Sequence, residues 1–252
     1  MDLLSVFQNL TQGQIIAGLA VAVIIGIGKT GISGVVLLAI PIMASAFGAI
    51  ESTGLMLAMF LIADVFAVKA YARHGKWGEI RKLLPSTVVG LALGSLVGSF
   101  INDQQFKYLI AIIVLICLIA MIWQEVRGDQ IKVPQARWFA ILIGVMAGFA
   151  TMIGNAAGPI FAIYLLAIRL NKQNYLGTTA WFFLIINVLK LPLQVFVWHN
   201  ITWTTAILAL SALPAIFIGT RIGIWVIRKL PEKGFRYLVI AMTAVVAVRM
   251  FF

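Results

Sequence analysis

GIGKTGISG at residues 26–34 and IGNAAGP at residues 153–159 are the stretches on which the reading of this chain turns. Each interrupts a long apolar run and sets polar side chains, Lys29 and Thr30 in the first and Asn155 in the second, among hydrocarbon neighbours. Glycine permits backbone that a helix cannot adopt, and Pro159 suits the opening turn of a following helix. Outward from these breaks, apolar segments bounded by charges, Gly or Pro fall at about 14–28, 32–47, 52–72, 80–101, 105–124, 137–153, 156–169, 175–198, 203–227 and 235–251.

Of 252 residues 62% are hydrophobic and only 11% charged, where a soluble domain has roughly 45–50% and 25%. A water-soluble enzyme is excluded, and the bilayer is the expected solvent. Lipid-exposed backbone must satisfy its own hydrogen bonds, and no segment shows the alternation of a barrel strand, so the expected fold is all-α and membrane-embedded. The N-terminus, MDLLSVFQNLTQGQ, has no basic region before the first apolar run, so that run is expected to stay as a helix rather than be cleaved. Cys117 is the single cysteine, which excludes an internal disulfide and a CxxC metal site; no cofactor and no metal are expected.

The net charge of +11 could indicate nucleic acid, but the basic residues are sorted by loop. Lys69, Arg73, Lys76, Arg81 and Lys82 follow the third segment, and Arg127, Lys132 and Arg137 the fifth. Arg169 and Lys172 follow the seventh, and Arg228, Lys229, Lys233 and Arg236 the ninth; the loops after even segments hold only Lys107. The positive-inside rule places the odd loops in the cytoplasm and both termini outside, which explains the basicity without a nucleic-acid partner. His74 and His199 then lie at opposite faces and cannot share a metal.

At an offset of 129, Leu84-Pro85, Gly90, Gly94, Phe106 and Tyr108 align with Leu213-Pro214, Gly219, Gly223, Phe235 and Tyr237. At 126, Gly28, Ser52-Thr53 and Trp77 align with Gly154, Thr178-Thr179 and Trp203. Two halves of five segments, 1–128 and 129–252, follow; the odd number makes the second an inverted copy, a plan found in secondary transporters. The first two segments of each half, about 15 residues long, are expected to be short re-entrant hairpins. Their tips would meet near the midplane and present the N-termini of segments 2 and 7 to one cavity, a geometry that favours an anion.

Candidate ligands for that anion are Lys29, Thr30 and Ser33 at the first break, Gly154, Asn155 and Gly158 at the second, and Thr178, Thr179, Asn187 and Lys190 on segment 8. Asp64 and Glu51 are candidate proton carriers. Each has a plainer role. Lys29 could be a cytoplasmic loop residue, and Thr30, Ser33 and the hydroxyl pairs at 52–53 and 178–179 could be N-caps. Asp64 could sit one turn from Lys69 at the cytoplasmic edge, and Lys190 could snorkel outward. Asn187, Lys190 and Gln194, spaced by three and four, form one stripe on their helix.

GNAAGPIFAIYLLA at 154–167, LGTTAWFFLIINVLKLP at 176–192 and the paired LPxxxxGxxxG elements resemble the sulfite exporter TauE/SafE family of bacterial transporters. The resemblance covers nearly the whole chain, more loosely in the first half, where GIGKTGISG lacks the three-glycine run of many members. It implies export, or in some members uptake, of small sulfur-containing anions such as sulfite or an organosulfonate across the bacterial inner membrane. It also implies roles for Gly154, Asn155, Gly158, Pro159, Thr178, Thr179, Asn187, Lys190 and Lys29. The runner-up is a membrane-embedded transferase acting on a lipid or sulfur group, which requires a cluster of carboxylates, His or Cys that the sequence does not offer. A cation channel would want acidic or thiolate rings. Oligomeric state is left open, a homo-oligomer included.

Overall fold

In the computed structural model the described residues are 10–31, 35–102, 104–105, 108–109, 112, 115–116, 119, 137–168, 170–231, 234, 237 and 241. They contain nine α-helices and no strand: α1 (Gln12–Thr30), α2 (Val36–Phe47), α3 (Ala49–Tyr71), α4 (Trp77–Gly98), α5 (Arg137–Gly154), α6 (Ala157–Ala167), α7 (Lys172–Phe196), α8 (Trp203–Ser211) and α9 (Leu213–Lys229). Five are long and apolar enough to cross a membrane, or six spans if the pair α8 and α9, bent by 50°, is one. The segments read at 105–124 and 235–251 lie largely outside the described residues.

Local chemistry sets where the helices start, and it moves several boundaries. Thr11 caps α1 through a reciprocal box with Gln14, its Oγ1 accepting from the Gln14 N–H at 3.2 Å. That cap extends α1 to 19 residues and, with α5 at 18, corrects the expected short first segments. At 1.5 Å per residue these two helices are about 28 and 27 Å long, near a full span, whereas α2 and α6, about 18 and 16 Å, are short. Gly48, at φ 87°, turns the chain into α3, and Asn171 caps α7 by accepting from the Asn174 N–H at 2.9 Å. Both helices therefore begin before the hydroxyl pairs, so neither Ser52-Thr53 nor Thr178-Thr179 is an N-cap. Thr30 ends α1 and caps nothing, and the residue before α2, Val35, makes no side-chain cap.

Two glycine seams hold the bundle. Alpha-carbons in α9 and α1 approach so closely that a Cβ on Gly26 would sit 2.3 Å from the Ile216 carbonyl oxygen, and one on Gly219 2.1 Å from that of Val23. The same arrangement recurs between α4 and α5, where a Cβ on Gly90 would meet the Val145 oxygen at 2.1 Å and one on Gly148 the Thr87 oxygen at 2.1 Å. Small residues let backbones touch in a solvent that offers no hydrophobic drive between helices.

The polar contacts fix which helix ends lie together. At one end Thr178 Oγ1 accepts from the Lys76 N–H at 3.0 Å, and Lys172 Nζ donates to the Ile227 and Leu230 carbonyls at 3.1 and 2.8 Å. At the other, Gln14 Nε2 donates to the Ala46 carbonyl at 2.9 Å and Asn200 Nδ2 to the Ile50 carbonyl at 3.0 Å. The loop at 72–76, the start of α7 and the end of α9 thus share the basic end. α1 and α3 run toward that end, while α5 and α7 run away from it. α3 and α7 pack on each other at the centre, and the polar residues they bury there form the site.

Candidate functional site

Lys29 occupies the last turn of α1, and its Nζ lies 2.9 Å from Asp64 Oδ1 on α3. The side chains are only 9% and 1% exposed. The ammonium also sits 4.4 Å from the Phe60 ring centre and 4.7 Å from that of Phe183, two π-faces that stabilise a desolvated cation. Asp64 Oδ2 accepts from Asn187 Nδ2 on α7 at 2.6 Å. Lys29 is therefore a buried helix residue rather than a cytoplasmic loop residue. Asp64 pairs with it and not with Lys69, because positions five apart on a helix point away from each other.

At the second break Gly154 ends α5 and Asn155 follows at φ 57°, its N–H returning to the Thr151 carbonyl at 3.0 Å. This is the left-handed cap that glycine or asparagine favours. Asn155 Nδ2 donates to the Thr53 carbonyl at 3.4 Å, and its Oδ1 accepts from Lys190 Nζ. Lys190 also donates to the Thr151 carbonyl at 2.7 Å, so an ammonium meets the negative end of the α5 dipole. Lys190 is fully buried, as are Asn187 and Gln194. The outward snorkel is overturned, because the stripe of three faces α3 and α5 rather than lipid. Gln194 Nε2 lies 3.4 Å from Thr53 Oγ1, and Asn200 Nδ2 lies 3.0 Å from the same oxygen.

Both breaks open on one cavity of about 30 Å³, room for a water or two. Gly28 and Lys29 line it from the first break, Thr151, Asn155 and Gly158 from the second, and Asp64, Thr179 and Asn187 from the two central helices. Val36 and Leu37, the opening residues of α2, complete the wall, so the ends of α1 and α5 and the starts of α2 and α6 all reach the cavity. Thr179, 8% exposed, lines it, and its hydroxyl has no hydrogen-bond partner among the described residues. A small polar guest would find an ammonium, amides and a free hydroxyl there, with a second ammonium, Lys190, one hydrogen bond behind Asn155.

Other candidates lie elsewhere. Thr30 Oγ1 donates to the Gly26 carbonyl at 2.7 Å and sits 3.2 Å from that of Thr220, inside the α1–α9 seam. Thr178 is engaged by the loop at Lys76, Glu51 is exposed in the first turn of α3, and Gly154 does not line the cavity. Ser33 lies outside the described residues. Sequence reading missed the Thr151 carbonyl and the two phenyl rings; the first was findable, since an asparagine ending a helix points its N–H four residues back. Among the described residues no three His, Cys, Asp or Glu side chains gather as a metal site.

The potassium-efflux proteins KefC of Escherichia coli strain SMS-3-5, of Escherichia coli O157:H7 and of Shigella flexneri are each 30% identical over 113 residues, described as glutathione-regulated. That match covers 43% of this chain and 18% of theirs, so the chain spans under a fifth of the length of those relatives. No solved structure matches. The family model "Sulfite exporter TauE/SafE" matches residues 15–250, nearly end to end, and the chain belongs to that family.

Proposed function

We propose that this protein is a secondary transporter that moves a small sulfur-containing anion, sulfite or an organosulfonate, across the bacterial inner membrane by alternating access. The observation that carries the reading is the convergence of two helix breaks and two long helices on one cavity lined by Lys29 and Asp64, with Lys190 behind Asn155. Lys29, Asn155, Gly158, Thr179 and Asn187 bind the anion, and Lys190 supports it through Asn155. Residues 1–128 and 129–252 act as inverted repeats that rock about this site. Supporting that plan are the opposite senses of α1 and α5 and of α3 and α7, and the seams that pair the first segment of each half with the fourth segment of the other, α1 with α9 and α5 with α4.

The basic end faces the cytoplasm by the positive-inside rule, with both termini periplasmic. An interior-negative potential favours anion exit by about 2.3 kcal/mol per charge per 100 mV, and Asp64 is the buried carboxylate available to carry a proton; Glu51, exposed, is not placed to do so. A potassium reading by analogy with the KefC likeness meets a site of the wrong sign, and a transferase would need a nucleophile or acid–base cluster at the cavity.

Reconstituted in proteoliposomes, the protein should give saturable flux of one of sulfite, an alkanesulfonate or thiosulfate, and Lys29→Ala should reduce it by at least about tenfold, the scale of one lost charge-assisted hydrogen bond. Flux no greater than in empty vesicles for all three anions, with a covalently changed product in the medium, would establish the transferase instead.

A further inference from the structure

A second cavity, of about 650 Å³, opens at the basic end between α3, α7 and α9. Lys69, Arg221 and Arg228 line it with Tyr71, Gln173 and Trp225, and among the described residues its lining holds no acidic side chain. Neither ion pair among the described residues, Lys29–Asp64 or Lys82–Glu79, involves these three cations. Arg221 lies two turns in from Arg228, exposed, with its guanidinium 5.2 Å from the Phe217 ring centre.

This chamber abuts the inner cavity. Tyr71, on its wall, donates its hydroxyl to the Thr30 carbonyl at 2.7 Å. Ile227, also on its wall, packs on Gly31, where a Cβ would meet its Cγ1 at 2.9 Å. The partition between the two cavities is thus residues 28–31, the same break whose other side carries Lys29 into the inner cavity.

We propose that the 650 Å³ cavity is an anion-collecting vestibule on the cytoplasmic side of the transport path, in which Lys69, Arg221 and Arg228 concentrate small soluble anions in front of the first break. The proposal rests on the transport reading above. Three like charges set in low-dielectric walls focus the field, raising local counter-ion concentration and entry rate by about 10- to 1,000-fold at low salt. Exposed charges are screened beyond roughly 8 Å at physiological ionic strength, so the effect must fall as salt rises. Tyr71 and the 28–31 backbone form the partition an anion must pass to reach Lys29.

The test reads the field without requiring transport. Gln173→Cys is placed in a Cys117→Ser background, and inside-out vesicles are labelled with a sulfonate-bearing or a trimethylammonium-bearing methanethiosulfonate. The anionic reagent should react about tenfold faster than the cationic one at low salt, relative to the same ratio for a free thiol. Lys69→Gln/Arg221→Gln/Arg228→Gln should bring the ratio near one, as should high salt, while Arg221→Lys/Arg228→Lys keeps it high. In flux assays Arg221→Gln/Arg228→Gln should raise KM severalfold for anion presented at the basic face and less than twofold from the opposite face. A ratio unmoved by the charge removal overturns the vestibule. So does labelling blocked by anionic phospholipid but not by neutral lipid, which would assign the chamber to a lipid headgroup. A charge-dependent ratio together with no anion flux in any variant would instead sink the transport reading, leaving only a charged chamber.

Discussion

The two helix breaks, at 26–34 and 153–159, meet at one cavity and handle their lysines in different ways. At the first, Lys29 faces a carboxylate at 2.9 Å and two aromatic rings, so its charge is neutralised on the spot. At the second, Lys190 meets the Thr151 carbonyl and the Asn155 amide oxygen, neutral groups that accept its hydrogen bonds. Among the described residues one break holds an ion pair and the other does not. Both breaks line the shared cavity, and each brings a different polar group to it. Gly28 aligns with Gly154, yet Lys29 has Asn155 for a counterpart, and Lys190 reaches the second break from α7.

The sharpest way to break that comparison is Asp64→Ala. It strands the Lys29 ammonium in the core, and removing one partner of a buried pair costs about 3–5 kcal/mol. Thermal unfolding in detergent should show that loss, while Lys29→Met/Asp64→Leu should recover most of it and still transport nothing. A double variant as unstable as Asp64→Ala would mean that the pair is not the closed unit described. Next in size is Lys190→Met. It removes no ionic partner, but leaves a carbonyl and an amide oxygen unmet at about 1–3 kcal/mol. Its stability loss should be smaller than that of Asp64→Ala and its transport loss as large, because the hydrogen bond that holds the Asn155 amide at the cavity goes with it.

Much of this was legible in the residues. Glycine breaks, the boundaries of the segments that fall among the described residues, to within a few positions, and the sorting of basic loops follow from backbone freedom and the cost of charge in lipid, which are local properties. Helix starts were less so: Thr11 and Asn171 are capping residues that lie outside the apolar run, so hydropathy alone begins the helices late. The partners of the buried charges were not legible. Lys29 and Asp64 are 35 positions apart, and Lys190 and Thr151 39, and which of several polar residues meet is decided by how α3 and α7 cross. The stripe of Asn187, Lys190 and Gln194 could be read as one face, but not whether that face turned to lipid or to the core.

The smallest effect probes the second break alone. Asn155 serves it twice, through a backbone at φ 57° and through an amide that bridges Lys190 and the Thr53 carbonyl. Asn155→Gly and Asn155→Ala both delete the amide, but only glycine accepts the left-handed backbone without penalty, which for a Cβ-bearing residue is about 1–2 kcal/mol. Asn155→Ala should therefore unfold at lower temperature than Asn155→Gly, while the two lose transport to the same degree. Equal stability would mean that the left-handed turn contributes nothing to holding the break. If Asn155→Gly instead transported as well as the wild type, Lys190 would not need the amide to serve the cavity, and the backbone of the break, rather than its side chain, would be the part that the second half contributes.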